Sequence, residues 1–149
     1  MQTNPILIAE NDPNDVELIL TALDEYNLAI KTIVVRDGVE ALDFLYRRGQ
    51  FAVRSPGNPI VVLLDLKMPR ISGLEVLSQV KKDPALHTIP IVILTSSREN
   101  QDIVQSYNLG ANAYVVKPVI FIEFIEAVKR LGLFWGLTNE AAPTQIGRN

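Results

Sequence analysis

Residues 60–69 read IVVLLDLKMP, which begins with an unbroken apolar run followed by an acidic residue. The run from Ile60 to Leu64 lacks the polar alternation of a half-exposed strand, so it predicts a strand that is covered on both faces. Asp65 follows directly at the carboxyl end of that strand. Because open parallel sheets bind ligands beyond the carboxyl ends of their strands, this stretch predicts both the type of sheet and the edge that carries a site.

Four other apolar runs predict strands: Ile6 to Ala9, Ile30 to Val35, Ile89 to Leu94 and Ala113 to Val116. The run from Ile30 contains Lys31 and Thr32, which favours a more exposed position in the sheet. Apolar residues at helical spacing separate or follow the strands. They predict five helices, on Val16, Ile19, Leu20 and Leu23; on Val39, Leu42 and Tyr46; on Leu74, Leu77 and Val80; on Ile103, Val104 and Tyr107; and on Phe121, Phe124, Ile125 and Val128.

Regular alternation of strand and helix requires a parallel sheet, because each helix carries the chain back before the next strand. The predicted fold is an α/β, doubly wound five-stranded parallel sheet of the flavodoxin-like class, with strand order 2-1-3-4-5. That order comes from the fold class and not from spacing alone. We expect one domain over residues 1–131, a C-terminal extension over 132–149 and no separate effector domain. The loop from Arg47 to Pro59 exceeds what this plan needs.

Composition excludes several classes of function. The chain has no cysteine and one histidine, so thiolate chemistry and multi-histidine metal centres are excluded. A net charge of −3 gives no basic footprint for nucleic acid. The apolar runs are too short to span a bilayer, and the polar N-terminus resembles no targeting signal, so we expect a cytoplasmic location without membrane partners.

The predicted strand ends carry a cluster of polar residues. Glu10, Asn11 and Asp12 follow the first strand, Asp65 the third, Thr95, Ser96 and Ser97 the fourth, and Lys117 the fifth. A carboxylate nucleophile that receives a phosphoryl group needs nearby cations to offset the approaching charge. Carboxylates such as Glu10 and Asp65 are ligands that Mg²⁺ accepts, while Thr95 and Lys117 can contact phosphoryl oxygens.

Four motifs together resemble the response-regulator receiver family. They are ILIAE at residues 6–10, LLDLKMPRISG at 63–73, ILTS at 93–96 and GANAYVVKP at 110–118. The resemblance runs from about Ile6 to Leu131. The start of the first helix, the long second loop and the tail are most similar to the cyanobacterial phytochrome response regulators.

The resemblance implies a role for each matching residue. Asp65 matches the phosphate acceptor, Thr95 the switch hydroxyl with Ser96 beside it, Tyr114 the aromatic switch and Lys117 the lysine that pairs with phosphate. Glu10 and Asn11 match an acidic pair that binds Mg²⁺, and Lys67 the residue whose backbone carbonyl completes that site. A purely structural Tyr114 stays open as an alternative, because half-buried tyrosines are frequent in strands.

The implied function is that of a stand-alone response regulator in a two-component phosphorelay. A sensor histidine kinase, of the phytochrome type by the narrower resemblance, transfers a phosphoryl group to Asp65. The protein then signals through a change of its surface, and it catalyses only its own phosphorylation and dephosphorylation.

Asn11 departs from the family pattern, in which most members carry two acids at this pair. An amide oxygen can bind Mg²⁺ but has no formal charge, so we expect Mg²⁺ to bind more weakly than with two acids. Asp12 could supply the charge instead. Its place before Pro13 makes capping of the first helix the simpler use.

Four further hypotheses concern the tail and other functions. Leu133, Phe134 and Trp135 form an aromatic cluster that we expect to make a homodimer contact. An aspartyl-phosphate phosphatase usually has a second aspartate two residues after its nucleophile, where this chain has Lys67. A flavodoxin-type flavin binder needs hydroxyls after the first strand, where Glu10 and Asp12 would repel a phosphate. A phosphate-independent scaffold also stays open.

Overall fold

The computed structural model describes residues 4–25, 31–117 and 120–130. The elements in chain order are β1 (Ile6–Ala9), α1 (Pro13–Glu25), β2 (Thr32–Val35), α2 (Gly38–Tyr46), a short 3-10 helix (Gly49–Phe51), β3 (Val61–Leu64), α3 (Gly73–Lys82), β4 (Ile91–Thr95), α4 (Asn100–Asn108), β5 (Ala113–Val116) and α5 (Phe121–Arg130). The strands form one five-stranded sheet in the order β2-β1-β3-β4-β5, and every pairing is parallel. The predicted fold and strand order are confirmed.

The two faces of the sheet carry separate apolar cores. Leu7 and Ala9 of β1 belong to the core beneath α2 and α3, whereas Ile6 and Ile8 belong to the core that also contains Phe124 of α5. All four residues of β1 and all four of β3 are buried, as continuous apolar runs predict for central strands. The edge strand β2 is only partly covered, which confirms its more exposed position.

Several predicted strand ends were wrong by one or two residues. β3 begins at Val61 and not at Ile60, and β4 runs from Ile91 to Thr95 instead of from Ile89 to Leu94. Pro90 explains the late start of β4, because it has no amide hydrogen to donate to a sheet ladder. β4 reaches Thr95 because that residue pairs with Val116 in the register of β5. Residue 30, the predicted start of the second strand, lies outside the described residues.

Two helices bury a face that differs in part from the one their apolar spacing predicts. In α1 the buried residues are Ile19, Ala22 and Leu23, while Leu20 is 36% exposed. In α4 the buried residue is Ser106, whereas Val104 and Tyr107 are exposed. Helical periodicity identifies an apolar stripe, but small residues such as alanine and serine can occupy the closest approach to a sheet.

The long loop after α2 is held by Arg54. Its guanidinium lies over the ring of Phe44 at 4.1 Å, and its Nε donates a hydrogen bond to the Phe44 carbonyl at 2.7 Å. The same side chain donates to the carbonyls of Ser55 and Gly57. The additional residues of this loop therefore pack against the end of α2 through a cationic side chain over an aromatic face.

Asp37 caps α2 and binds Arg70 of the β3–α3 loop. Its Oδ1 accepts a hydrogen bond from the Glu40 amide at 2.8 Å, and its Oδ2 accepts one from Arg70 Nε at 3.0 Å. Burial alone would raise the pKa of this carboxyl, but the hydrogen bonds from Glu40 and Arg70 outweigh it and hold the pKa below its usual range. Asp37 thereby joins two loops at the carboxyl edge of the sheet.

Asp37→Ala is expected to lower the free energy of unfolding at pH 7 by about 1–2 kcal/mol, because the cap and the ion pair are both lost. Asp37→Asn keeps a capping oxygen and should cost less. Since the folded-state pKa is depressed, the stabilisation by the charged carboxylate is present above the unfolded pKa of about 3.9 and is lost as the pH falls through the folded pKa. Urea unfolding at pH 7 and pH 3 checks this, and a constant difference between wild type and Asp37→Asn would contradict it.

In the described part of the chain no helix is long and apolar enough to cross a membrane. The predicted dimer cluster of Leu133, Phe134 and Trp135 lies outside the described residues, as does the rest of the expected extension over 132–149.

Candidate functional site

The carboxyl ends of β1, β3 and β5 converge on the ammonium group of Lys117. Lys117 Nζ lies 2.6 Å from Glu10 Oε1, 2.8 Å from Asp15 Oδ2 and 3.3 Å from Asp65 Oδ2. The Lys117 amide donates a hydrogen bond to the carbonyl of Thr95 at 2.8 Å, which fixes the lysine beside the end of β4. The register of the parallel sheet thus brings four of the predicted site residues together.

This cluster is largely buried. Glu10 is 2% exposed, Asp65 7% and Thr95 0%. Burial by itself lowers the pKa of Lys117, but hydrogen bonds with Asp15 and Glu10 outweigh burial and hold that pKa above its usual range. Burial, together with the nearby charge of Asp65, holds the pKa of Glu10 above its usual range despite its hydrogen bonds with Lys117 and the Asp12 amide. Three carboxylates around one ammonium leave an excess of negative charge, which favours a further cation.

Asp65 is held by the backbone around it. Its amide donates to the carbonyl of Ala9 at 3.0 Å, and its Oδ1 accepts from the amide of Lys67 at 3.3 Å. The next helix approaches closely: the amide of Gly73 donates to the carbonyl of Leu66 at 2.8 Å. A Cβ on Gly73 would overlap the carbonyl oxygen of Asp65. Glycine is therefore required at this contact, where the chain turns into α3.

The three polar residues of the loop after β1 have different surroundings. Glu10 Oε2 accepts a hydrogen bond from the Asp12 amide at 3.0 Å, which turns the loop. Asp12 Oδ1 accepts from the Asn14 amide at 2.8 Å, so Asp12 caps α1 as predicted. Asp12 and Asn11 are both exposed. Glu10 is the residue of this loop whose carboxylate reaches the buried cluster.

The residues present fit a hard divalent cation. Glu10 Oε1 is a buried carboxylate oxygen whose partner is the Lys117 ammonium at 2.6 Å. Glu10 and Asp65 both face the Lys117 ammonium, so their oxygens surround a point where a cation is already favoured. Within the described ranges no set of three acidic or histidine side chains is arranged as a metal site. Neutral oxygens, such as the Lys67 carbonyl, the Asn11 amide or water, would have to complete a coordination shell.

A second network joins β4, α4 and β5. Ser97 Oγ donates to Asp102 Oδ2 at 2.5 Å, and the Ser97 amide donates to Thr95 Oγ1 at 3.4 Å. The half-buried Tyr114 donates its hydroxyl to the carbonyl of Ser97 at 3.1 Å. Ser96 is exposed, whereas Ser97 is 7% exposed. Thr95 and Tyr114 are therefore connected through the backbone of Ser97, whose amide binds Thr95 and whose carbonyl binds Tyr114.

Sequence reasoning missed Asp15 and the role of Ser97. Asp15 lies in the first turn of α1, and Lys117 is far away in sequence. The available signal was that the first turn of α1 directly follows the carboxyl end of β1, the same edge as Asp65. In the sequence Ser97 simply follows Thr95 and Ser96, and only its burial in the structure distinguishes it from the exposed Ser96.

This fold and this cluster of acids, hydroxyl and lysine at its carboxyl edge define a receiver-type phosphoacceptor module. Comparison with known proteins agrees, since the response regulator receiver domain family matches residues 6–129. The chain belongs to this family.

Its similar proteins include phytochrome response regulators. The response regulator Rcp1 of Synechocystis sp. (strain ATCC 27184 / PCC 6803 / Kazusa) is 34% identical, over 90% of this chain and 92% of that protein. The bacteriophytochrome response regulator RtBRR has 54% identity and a TM-score of 0.85, covering 95% of this chain and 86% of that chain. The phosphorylated cyanobacterial phytochrome response regulator RcpA has 36% identity and a TM-score of 0.76, covering 90% of this chain and 94% of that chain.

Proposed function

We propose that Asp65 accepts a phosphoryl group from a phytochrome-type sensor histidine kinase and that Lys117, Thr95 and Glu10 assist the transfer. The observation that carries this proposal is that the carboxylates of Glu10 and Asp65 both lie within 3.3 Å of the Lys117 ammonium at the carboxyl edge of the sheet. The names of RcpA and RtBRR, both phytochrome response regulators, support the kinase class.

In the proposed step a carboxylate oxygen of Asp65 attacks the phosphorus of a phosphohistidine. The new O–P bond forms as the P–N bond breaks, and the imidazole leaves with the electron pair and takes up a proton. The ammonium of Lys117, already 3.3 Å from Asp65 Oδ2, pairs with the incoming charge. The Thr95 hydroxyl, and by the family resemblance that of Ser96, donate to phosphoryl oxygens. Mg²⁺ bound by Glu10, Asp65, the Lys67 carbonyl and Asn11 would offset charge on the phosphoryl oxygens.

The proposed output uses the surface of α4, β5 and α5. Thr95 and Tyr114 are linked through Ser97, so movement of the hydroxyl toward a phosphoryl group changes the environment of the tyrosine. The surface beyond it exposes the apolar side chains of Val104, Tyr107, Ile120 and Ile122. Such a group of exposed apolar residues suits a protein partner. A homodimer contact through the tail cluster remains a prediction.

Asn11→Asp is expected to tighten Mg²⁺ binding by roughly five- to tenfold, because it adds a charge within reach of a divalent ion. Isothermal titration with MgCl₂ measures the dissociation constants of both proteins. The exposed Asn14→Asp, on the first turn of α1, serves as a control for added charge alone. Equal affinities for wild type and Asn11→Asp would contradict a weakened site.

The proposed function is tested by incubation with a small phosphodonor and by intact mass. With Mg²⁺ we expect a single phosphoryl adduct, and with excess EDTA we expect much slower formation. A receiver of known activity under the same conditions verifies the donor. Failure to form an adduct at saturating Mg²⁺ would favour a scaffold that works without phosphate.

A further inference from the structure

Asp15 contacts the buried lysine from a helix that the proposed chemistry does not otherwise use. Its Oδ2 lies 2.8 Å from Lys117 Nζ, and its side chain is 22% exposed. Asp15 and Lys117 are separated by 102 positions in the sequence, so the contact depends on how α1 packs on the sheet.

The other two partners of Lys117 are the carboxylates that the proposed metal site requires. The ammonium is 2.6 Å from Glu10 Oε1 and 3.3 Å from Asp65 Oδ2. Mg²⁺ binds oxygen at about 2.0–2.1 Å, so a metal on the same Glu10 oxygen would stand in close contact with the ammonium. Lys117 must therefore withdraw from Glu10 when a divalent cation binds.

Asp15 gives Lys117 a partner that is not itself a proposed metal ligand. An ammonium has three hydrogen-bond donors, so Lys117 can keep Asp15 while it gives up Glu10. Without the Asp15 charge, both remaining carboxylate partners of the lysine would be ones that the cation needs. The lysine would then compete with the cation more strongly, and the cluster would lose a negative charge beside Asn11.

We infer that Asp15 is a positioning residue that holds Lys117 aside and so permits a divalent cation to bind at Glu10 and Asp65. This inference rests on the proposed function. Asp15 then supplies the second acidic charge that Asn11 does not provide. It acts by holding Lys117 and not by binding the cation directly.

Asp12 supplies a matched control. Asp12→Asn removes one negative charge just before the first turn of α1, where Asp15 lies, and keeps a side-chain oxygen for the cap. Asp12 is exposed and its side chain caps α1. Asp12→Asn therefore measures how much the affinity for Mg²⁺ falls when the region simply loses one negative charge. The negative charge of an acid in the first turn of a helix also interacts favourably with the helix dipole and so stabilises the fold. Thermal unfolding of both variants measures how much of this stability each substitution removes.

The experiment is calorimetric titration of the full chain with MgCl₂ alone. We expect Asp15→Asn to weaken Mg²⁺ binding by roughly tenfold and Asp12→Asn by less than about twofold. Asp15→Glu should restore most of the affinity, because a longer carboxylate on the same helix can still reach Lys117. When Lys117→Met is present, Asp15→Asn should have no more effect than Asp12→Asn.

The outcomes separate this inference from the proposed function. Equal losses for Asp15→Asn and Asp12→Asn would overturn the role of Asp15 while leaving the phosphoacceptor intact. An undiminished effect of Asp15→Asn in the Lys117→Met background would also overturn it, because Asp15 would then act on the cation directly. Absence of Mg²⁺ binding by wild type would overturn the metal-dependent function itself.

Discussion

Asp65→Asn is expected to take up no phosphoryl group from a small phosphodonor under conditions in which wild type is fully labelled. The amide has nearly the shape of the carboxylate but lacks the anionic oxygen that attacks phosphorus. We expect the rate of adduct formation to fall by at least about a thousandfold, because removal of a nucleophile leaves only the binding contribution of a site. Intact mass measured over time gives this rate.

Asp24→Asn is the matched control, because Asp24 is an exposed aspartate of α1. It should label at the rate of wild type. The loss of the Asp65 charge also removes one partner of Lys117, so thermal unfolding should confirm that Asp65→Asn is folded. An adduct on folded Asp65→Asn at a rate near wild type would contradict the assignment of the acceptor.

Gly73→Ala is expected to disturb the acceptor without touching its side chain. A Cβ at this position would overlap the Asp65 carbonyl oxygen and lie 2.7 Å from the Cα of Leu66. Both are backbone atoms, so no side chain can rotate away and the β3–α3 loop must shift. We expect a loss of about 2–3 kcal/mol in the free energy of unfolding, as for overpacked sites. Displacement of the nucleophile should slow phosphorylation by more than about tenfold.

Val80→Ala provides the comparison for Gly73→Ala. Val80 is 0% exposed near the end of α3, and its truncation lowers stability away from the strand ends. We expect Val80→Ala to phosphorylate at the wild-type rate at a temperature where both variants are folded. Slowing of both variants in proportion to their loss of stability would mean that Gly73 serves the fold alone.

The sequence predicted the sheet because its signals are local. Continuous apolar runs mark strands such as β3, and the placement of Asp65 and Lys117 directly after strands follows from the order of residues. A parallel sheet then brings all carboxyl ends to one edge, so the meeting of Glu10, Asp65 and Lys117 follows from topology. Capping by Asp12 was also predictable, because its signal lies within a few residues of the helix start.

What the sequence did not predict depends on how helices dock. Asp15 reaches Lys117 only because of the rotation of α1 about its axis, which also leaves Leu20 exposed. The rotation of α4 about its axis was unpredicted for the same reason, and it turns Ser106 to the core and Val104 outward. Side-chain periodicity fixes which residues share a face, but the tertiary contacts decide which face is buried.

The most direct test of the central claim is to locate the phosphoryl group. Borohydride reduces an aspartyl phosphate to homoserine, so the label survives digestion and can be found by mass. Cleavage after Arg54 and Lys67 releases residues 55–67, whose only side-chain carboxylate is that of Asp65. We predict that this peptide carries the modification. Its appearance instead in the peptide that contains Glu10, Asp12 and Asp15 would contradict Asp65 as the acceptor.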